Sequence, residues 1–284
     1  MPELPEVEVL VRHLAPLLKG KTIRRVAVRR ARVLRPTSEQ QLVRVLTGAT
    51  FTALSRRGKY LLFELRSSLR KTTIELLGHL GMTGRMYLRP ADETPPKHAA
   101  VIFHLGSQDF FYDDTRYFGR LTLDTGALTQ LGPEPLSKEF TPESLTAALR
   151  RSAQPVKIKL LDQSLVAGVG NIYASEALFR AGVSPKLPAR KITATQAVRL
   201  WRAVREVLAE AIDCGSTIPL DWSGKGKRDG LFYYGQAAGT PDFYEERLRV
   251  YDRAGQPCAS CGAAIRRIVQ AARSTFYCPR CQCR

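Results

Sequence analysis

Negative charge is what this chain lacks most. Its 26 Asp and Glu residues face 44 Lys and Arg, a formal net charge of +18 at pH 7. No acid occurs between Glu8 and Glu39, where Arg12, Lys19, Lys21, Arg24, Arg25, Arg29, Arg30, Arg32 and Arg35 crowd together. Solubility does not require such an excess, so a polyanionic partner is expected, and nucleic acid ranks before an anionic membrane surface. A long apolar run is missing too. Nothing approaches the roughly 18 to 20 residues of a membrane span, and the N-terminus has no basic-then-apolar signal region. Neither membrane insertion nor export is expected, and thiols should stay reduced in the cell interior. Cysteine is rare except near one end: Cys214 stands alone, while Cys258, Cys261, Cys278, Cys281 and Cys283 cluster. In a chain without an export signal that pattern suits a metal rather than disulfides. Internal repeats and low-complexity tracts are absent.

The 284 residues, 44% of them apolar, suffice for two domains with real cores. Val7, Leu10, Val11, Leu14, Leu17 and Leu18 form one helical stripe that Gly20 stops. Short β-rich runs follow, at Arg24 to Val33, Ala49 to Leu54, Tyr60 to Leu65, Thr72 to Leu77, Ala100 to Leu105, Phe110 to Tyr112 and Leu121 to Leu123. Gly, Asp and Pro clusters separate them, which fits a β-sandwich or barrel. Beyond Gly132-Pro133-Glu134-Pro135 the texture turns helical, with i, i+3, i+4 apolar spacing over Thr141 to Arg150, Val156 to Gln163, Ile172 to Ala181 and Thr193 to Ala211. The boundary falls near residue 136. Residues Gly215 to Gly239 are glycine-rich and charged without a period, the signature of a long loop.

Cys258-x2-Cys261 and Cys278-x2-Cys281, sixteen residues apart, match the spacing that delivers four thiolates tetrahedrally to zinc. The segment between them, Ile265 to Phe276, suits a hairpin too small to hold itself without a metal. One structural Zn2+ with no open coordination position is expected. Cys283 is the alternative fourth ligand, but it makes a poorer knuckle than Cys281.

Pro2 follows the initiator Met, and a small second residue permits Met removal. The mature chain would then begin with a secondary amine followed by Glu3. An α-amine titrates near ~8 and a lysine near ~10.4, so such a terminus offers far more free nucleophile at neutral pH. Attack on a sugar C1′ by a secondary amine gives an iminium that cannot lose an N–H proton. That electron sink acidifies the neighbouring sugar carbon and permits phosphate elimination, while Glu3 could protonate the opening ring oxygen.

Five runs, Pro2-Glu3-Leu4-Pro5-Glu6-Val7-Glu8, Arg57-Gly58-Lys59-Tyr60-Leu61, His79-Leu80-Gly81-Met82-Thr83-Gly84, Gly168-Val169-Gly170-Asn171-Ile172-Tyr173-Ala174-Ser175-Glu176 and Arg273-Ser274-Thr275-Phe276-Tyr277-Cys278, together resemble the formamidopyrimidine-DNA glycosylase family of bacteria. The resemblance runs nearly end to end. It implies an α+β multidomain fold: an N-terminal two-layered β-sandwich with flanking helices over 1–136, a helix-two-turn-helix domain over 137–244 with a lesion-capping loop at about 215–239, and a C-terminal zinc-finger β-hairpin over 245–284.

The resemblance also implies roles. Pro2 would be the Schiff-base nucleophile, Glu3 the acid assisting sugar opening, and Lys59 a phosphate contact and proton donor in β-elimination. A turn Gly before Lys59 would aim it inward. Arg273 resembles an arginine assigned to δ-elimination, although a guanidinium that does not lose its proton better suits a phosphate clamp. DNA contacts are implied for His79, His98, Arg116, Lys157 and Asn171, with Lys157 handling the damaged base. Asn171 also follows two glycines at an expected helix start, where free N–H groups suit a phosphate or Asn171 serves as a plain cap. Glu6 would help position the lesion loop. Met82, Arg116 and Phe118 would fill the void left by an extruded base.

The implied partner is duplex DNA containing oxidised bases or abasic sites, the implied state a monomer, and the implied place the bacterial cytoplasm. The implied activity is that of a bifunctional glycosylase and AP lyase removing oxidised purines by β,δ-elimination. An endonuclease VIII-like preference for oxidised pyrimidines is the near alternative, and a non-catalytic zinc-containing DNA-binding protein the distant one. One departure stands out: Tyr117 occupies a position where the family run carries an arginine associated with DNA.

Overall fold

The computed structural model describes residues 2–67, 72–215 and 248–283. All of the expected capping loop except Gly215 lies outside these residues. The chain forms two compact units: one contains Pro2 and Glu6–Thr129, the other Glu3–Pro5 together with residues 130–215 and 248–283.

The first unit is a two-layered β-sandwich. Helix α1 (Leu4–Leu18) supplies Val7, Leu10, Val11, Leu14 and Leu18 to the core, the stripe read from the sequence. One sheet has the order β2 (Thr50–Arg57), β3 (Tyr60–Arg66), β4 (Thr73–His79), β8 (Arg120–Thr122). The other runs β1 (Arg25–Val28), β6 (Ala99–His104), β7 (Gln108–Asp114), β5 (Gly84–Pro90), and every neighbouring pair is antiparallel. Aromatic rings cross between the layers: Phe51 and Phe63 of one sheet lie 6.2 and 5.9 Å from Phe110 of the other. Helix α2 (Glu39–Leu46), capped by Ser38, adds Leu42 and Leu46 to the same core.

The run expected over Arg24 to Val33 is a strand only as far as Val28. Arg29 and Arg30 both donate backbone N–H groups to Ala100, and a 3₁₀ turn over Ala31–Leu34 then buries Val33 and Leu34. The chain bends there to bring two consecutive apolar residues to one side, which alternation along a strand does not allow.

The second unit is helical. Helices α3 (Pro142–Arg150), α4 (Val156–Leu160), α5 (Asn171–Arg180) and α6 (Ala194–Asp213) pack their apolar faces into one core with Leu4 and Val169. Thr141 and Thr193 open α3 and α6 with complete capping boxes. The finger hairpin β9 (Arg266–Gln270) and β10 (Arg273–Tyr277) belongs to this unit. Glu176 of α5 holds the chain that leads to it: its carboxylate accepts the backbone N–H groups of Arg249, Val250 and Tyr251 at 2.8 to 3.0 Å.

Candidate active site

In the sandwich unit, Pro2 is buried. The β2–β3 turn presents Lys59 after Gly58, whose φ of +57° bends the chain, and Lys59 is 8% exposed. The turn is braced from behind. Glu8 on α1 accepts from Arg56 Nε at 2.9 Å, and Arg56 Nη1 donates to the Gly58 carbonyl at 2.9 Å.

Cross-strand pairing sets Tyr60 opposite His79, with ring centroids 4.8 Å apart. His79 Nδ1 accepts the Gly81 N–H at 3.0 Å, so the neutral ring carries its proton on Nε2. Burial, and then the charges of Lys59 and Arg120, push the imidazole from 6.5 down to about 4. His79 is thus a neutral N–H donor. His98 lies at the Asp113–Asp114 end of β7, where its carbonyl accepts the Asp114 N–H.

Met82, Arg116 and Phe118 come together on two interlocked turns. A Cβ on Gly81 would lie 2.6 Å from the Gly119 nitrogen, so side chains there would force the turns apart. The buried Asp114 ties them: it accepts from the Thr83 hydroxyl at 2.6 Å and from the backbone N–H groups of Arg116 and Gly119 at 3.1 and 2.9 Å. Met82 and Phe118 are 42% and 47% exposed. The Arg116 guanidinium lies 4.6 Å from the Phe118 ring centroid and touches Met82 Sδ at 3.4 Å. Two exposed apolar side chains thus flank a cation on these turns.

In the helical unit the Gly168-Val169-Gly170 run makes room for the N-terminal segment. The Leu4 N–H donates to the Gly168 carbonyl at 3.1 Å, and a Cβ on Gly170 would sit 2.3 Å from the Glu3 carboxyl carbon. Glu3 is 1% exposed, and its carboxylate accepts the backbone N–H groups of Ile172 at 2.9 Å and Tyr173 at 3.4 Å. Those belong to the first turn of α5, whose unpaired donors complement negative charge. Glu3 therefore does the capping considered for Asn171.

Asn171 instead faces the finger. Its Oδ1 accepts from Lys157 Nζ at 2.7 Å and its Nδ2 donates to the Ser274 carbonyl at 3.0 Å. Lys157 is wholly buried and also donates to the Ser274 carbonyl at 2.9 Å and Thr275 Oγ1 at 2.8 Å. Burial lowers its ammonium to about 8, with Glu3 opposing and Arg273 adding to the shift. Three acceptors therefore occupy its three N–H groups. Arg273, next to this knot, is exposed at the end of the hairpin.

The four Sγ atoms of Cys258, Cys261, Cys278 and Cys281 lie within 4.8 Å of one another. The Cys258–Cys281 and Cys261–Cys278 separations are 3.9 and 3.4 Å, close to the ~3.8 Å edge of a thiolate tetrahedron around zinc. The donor set fits one structural zinc. Cys283 is exposed and outside the group. Buried Gln282 locks the second knuckle, accepting from Cys278 N at 2.8 Å and donating to the Val183 carbonyl at 3.0 Å. Glu8, Arg56, Asp114, Glu176 and Gln282 are supporting residues to which sequence reasoning gave no role. Among the described residues, no helix is long and apolar enough to cross a membrane.

A β-sandwich, a helix-two-turn-helix unit and a four-cysteine hairpin on one chain define a class of DNA-binding repair protein. Three family models match in that order: the formamidopyrimidine-DNA glycosylase N-terminal domain over residues 1–121, its H2TH domain over 131–220, and a zinc finger found in FPG and IleRS over 255–283. The chain is 44% identical to the formamidopyrimidine-DNA glycosylase of Thermus thermophilus, over 99% of this chain and 98% of that one. The crystal structure of the MutM (Fpg) protein from the same organism superposes with a TM-score of 0.83 at 41% identity, covering 99% of this chain and 98% of that one. The Lactococcus lactis Fpg in complex with abasic-site DNA gives 0.86 at 32%, covering 99% and 100%. This chain belongs to the formamidopyrimidine-DNA glycosylase family, whose members are glycosylases with AP-lyase activity.

Proposed function

We propose that this protein, a DNA glycosylase and AP lyase for oxidised bases in base excision repair, works through Pro2 and acts chiefly on oxidised purines such as 8-oxoguanine and formamidopyrimidines. One observation carries the reading: the carboxylate of Glu3, the residue next to Pro2, is seated on the first N–H groups of α5. With Met1 removed, the Pro2 nitrogen attacks C1′ and the C1′–base bond breaks, the departing base taking the electron pair. The attacking nitrogen passes its N–H proton to the Glu3 carboxylate, which delivers it to O4′ as the C1′–O4′ bond opens to an iminium, and the regenerated carboxylate counters the positive charge. Loss of a C2′ proton breaks the C3′–O3′ bond, and a second elimination breaks the bond to O5′.

In this reading Lys59 and neutral His79 hold phosphates in the sandwich unit. Arg273 and Asn171 do so in the helical unit, with Lys157 ordering both. The wedge of Met82, Arg116 and Phe118 fills the stack after base extrusion and favours purine lesions over pyrimidine ones. The same reading takes 1–136 as the catalytic domain, 137–244 as the helix-two-turn-helix domain and 245–284 as the finger. The protein acts as a monomer on DNA in the bacterial cytoplasm. Single-turnover excision from duplexes carrying 8-oxoguanine or thymine glycol tests the choice. Faster release of 8-oxoguanine is expected, and faster release of thymine glycol would move the protein to the pyrimidine side.

A further inference from the structure

Between Arg116 and Phe118 stands Tyr117, with a φ of +51°, a conformation that residues bearing a Cβ adopt rarely. Its ring packs half-buried against the sandwich core. Over that ring, with Cζ 5.4 Å from the centroid, lies the guanidinium of Arg30. The Arg30 backbone is fixed to the N-terminal end of β6, where Arg29 N and Arg30 N both donate to the Ala100 carbonyl at 2.8 and 3.1 Å. Its Nη1 donates to the Arg29 carbonyl at 3.1 Å, while the side chain stays exposed. Among the described residues Arg30 makes no ion pair with an acid, and the sequence around it contains none between Glu8 and Glu39.

An arginine lying on a ring keeps its in-plane N–H groups for an anion, and the platform removes the disorder that a free side chain would lose on binding. Arg116 and Phe118 of the same turn as Tyr117 and Met82 of the facing one are exposed beside it. We infer that Arg30, stacked on Tyr117, is a DNA-phosphate contact beside the wedge: the tyrosine supplies the surface and Arg30 the charge, so a second cation stands beside Arg116 although residue 117 is neutral. The inference rests on the DNA-binding reading of that turn. It also identifies a use for a residue whose backbone conformation is otherwise unfavourable.

The test is the salt dependence of binding to a duplex with a stable abasic-site analogue, for wild type, Arg30→Ala, and Arg30→Ala combined with Tyr117→Arg. Arg30 is exposed, so Arg30→Ala leaves the core intact, and zinc content and thermal melting of each variant verify this. Loss of one phosphate contact should flatten log K against log[salt] by about 0.9. Between about 50 and 200 mM salt, affinity of Arg30→Ala would then fall ~3.5-fold less than that of wild type. Placing the charge at position 117 should return the wild-type slope. An unchanged slope in Arg30→Ala overturns the inference, and so does failure of the double variant to restore it. Wild type that neither binds nor cuts lesion DNA would instead sink the functional reading itself.

Discussion

A neutral histidine and a buried lysine carry opposite instructions about pH. His79 titrates near 4 when folded and near ~6.5 when unfolded. The unfolded chain therefore binds the proton first as pH falls, so His79 weakens the fold between about pH 6.5 and 4 and has no linkage effect above that window. Urea melts of wild type and His79→Gln should differ by a constant amount above about pH 7, with the difference moving against wild type toward pH 4. Lys157 uses its three N–H groups on Asn171, Ser274 and Thr275. Replacing it with Met strands Asn171 Oδ1 and Thr275 Oγ1, while the Ser274 carbonyl keeps Asn171 Nδ2, and about 2–4 kcal/mol of stability should be lost in urea melts. Excision should fall with it, because the hairpin that carries Arg273 loses its anchor. Unchanged stability would mean that water replaces the ammonium without cost.

At the scale of elements, the start of α5 concentrates the argument. Gly170→Ala puts a methyl group where the Glu3 carboxyl stands, so single-turnover excision should drop by at least ~10², while the sandwich unit melts as before. Wild-type rates would show that the seat of Glu3 is not needed.

Much of this architecture is legible in the sequence, and for identifiable reasons. Helix α1, strands β2, β3 and β4 and the long helix α6 are half-buried elements whose apolar period matches their geometry, while β6, buried on both faces, reads as an unbroken apolar run. Strand β5 also alternates, with Met86 and Leu88 in the core and Arg85, Tyr87 and Arg89 half-buried on the other face, but its residues sit beside a glycine-rich turn that masks the period. Helix α2 buries only Leu42 and Leu46, too few to outweigh its polar face. The spacing predicts one helix over Val156 to Gln163, and α4 ends at Leu160 because Asp162 and Gln163 bond to nearby loop backbone instead. Site residues in contiguous motifs can be found from those motifs. Asp114, Arg56 and Gln282 cannot, because their roles exist only after distant segments meet.

For the whole molecule, zinc and charge act on different parts. The finger's own core is small: Val250, Ile265 and Phe276 around the cysteines. Structural zinc contributes on the order of 10 kcal/mol or more to such modules. Chelation should therefore abolish hydrogen-exchange protection in β9 and β10 and weaken DNA binding, while protection in the sandwich strands persists. Loss of protection across the sandwich as well would show that the metal holds more than the finger.

The most direct test of the central claim is borohydride reduction of the protein on abasic-site DNA, followed by proteolysis and mass spectrometry of the cross-linked peptide. The account predicts that the sugar is joined to the nitrogen of Pro2, in a chain that has lost Met1. A cross-link on Lys59 or another lysine, or full activity in protein that retains Met1, would contradict it.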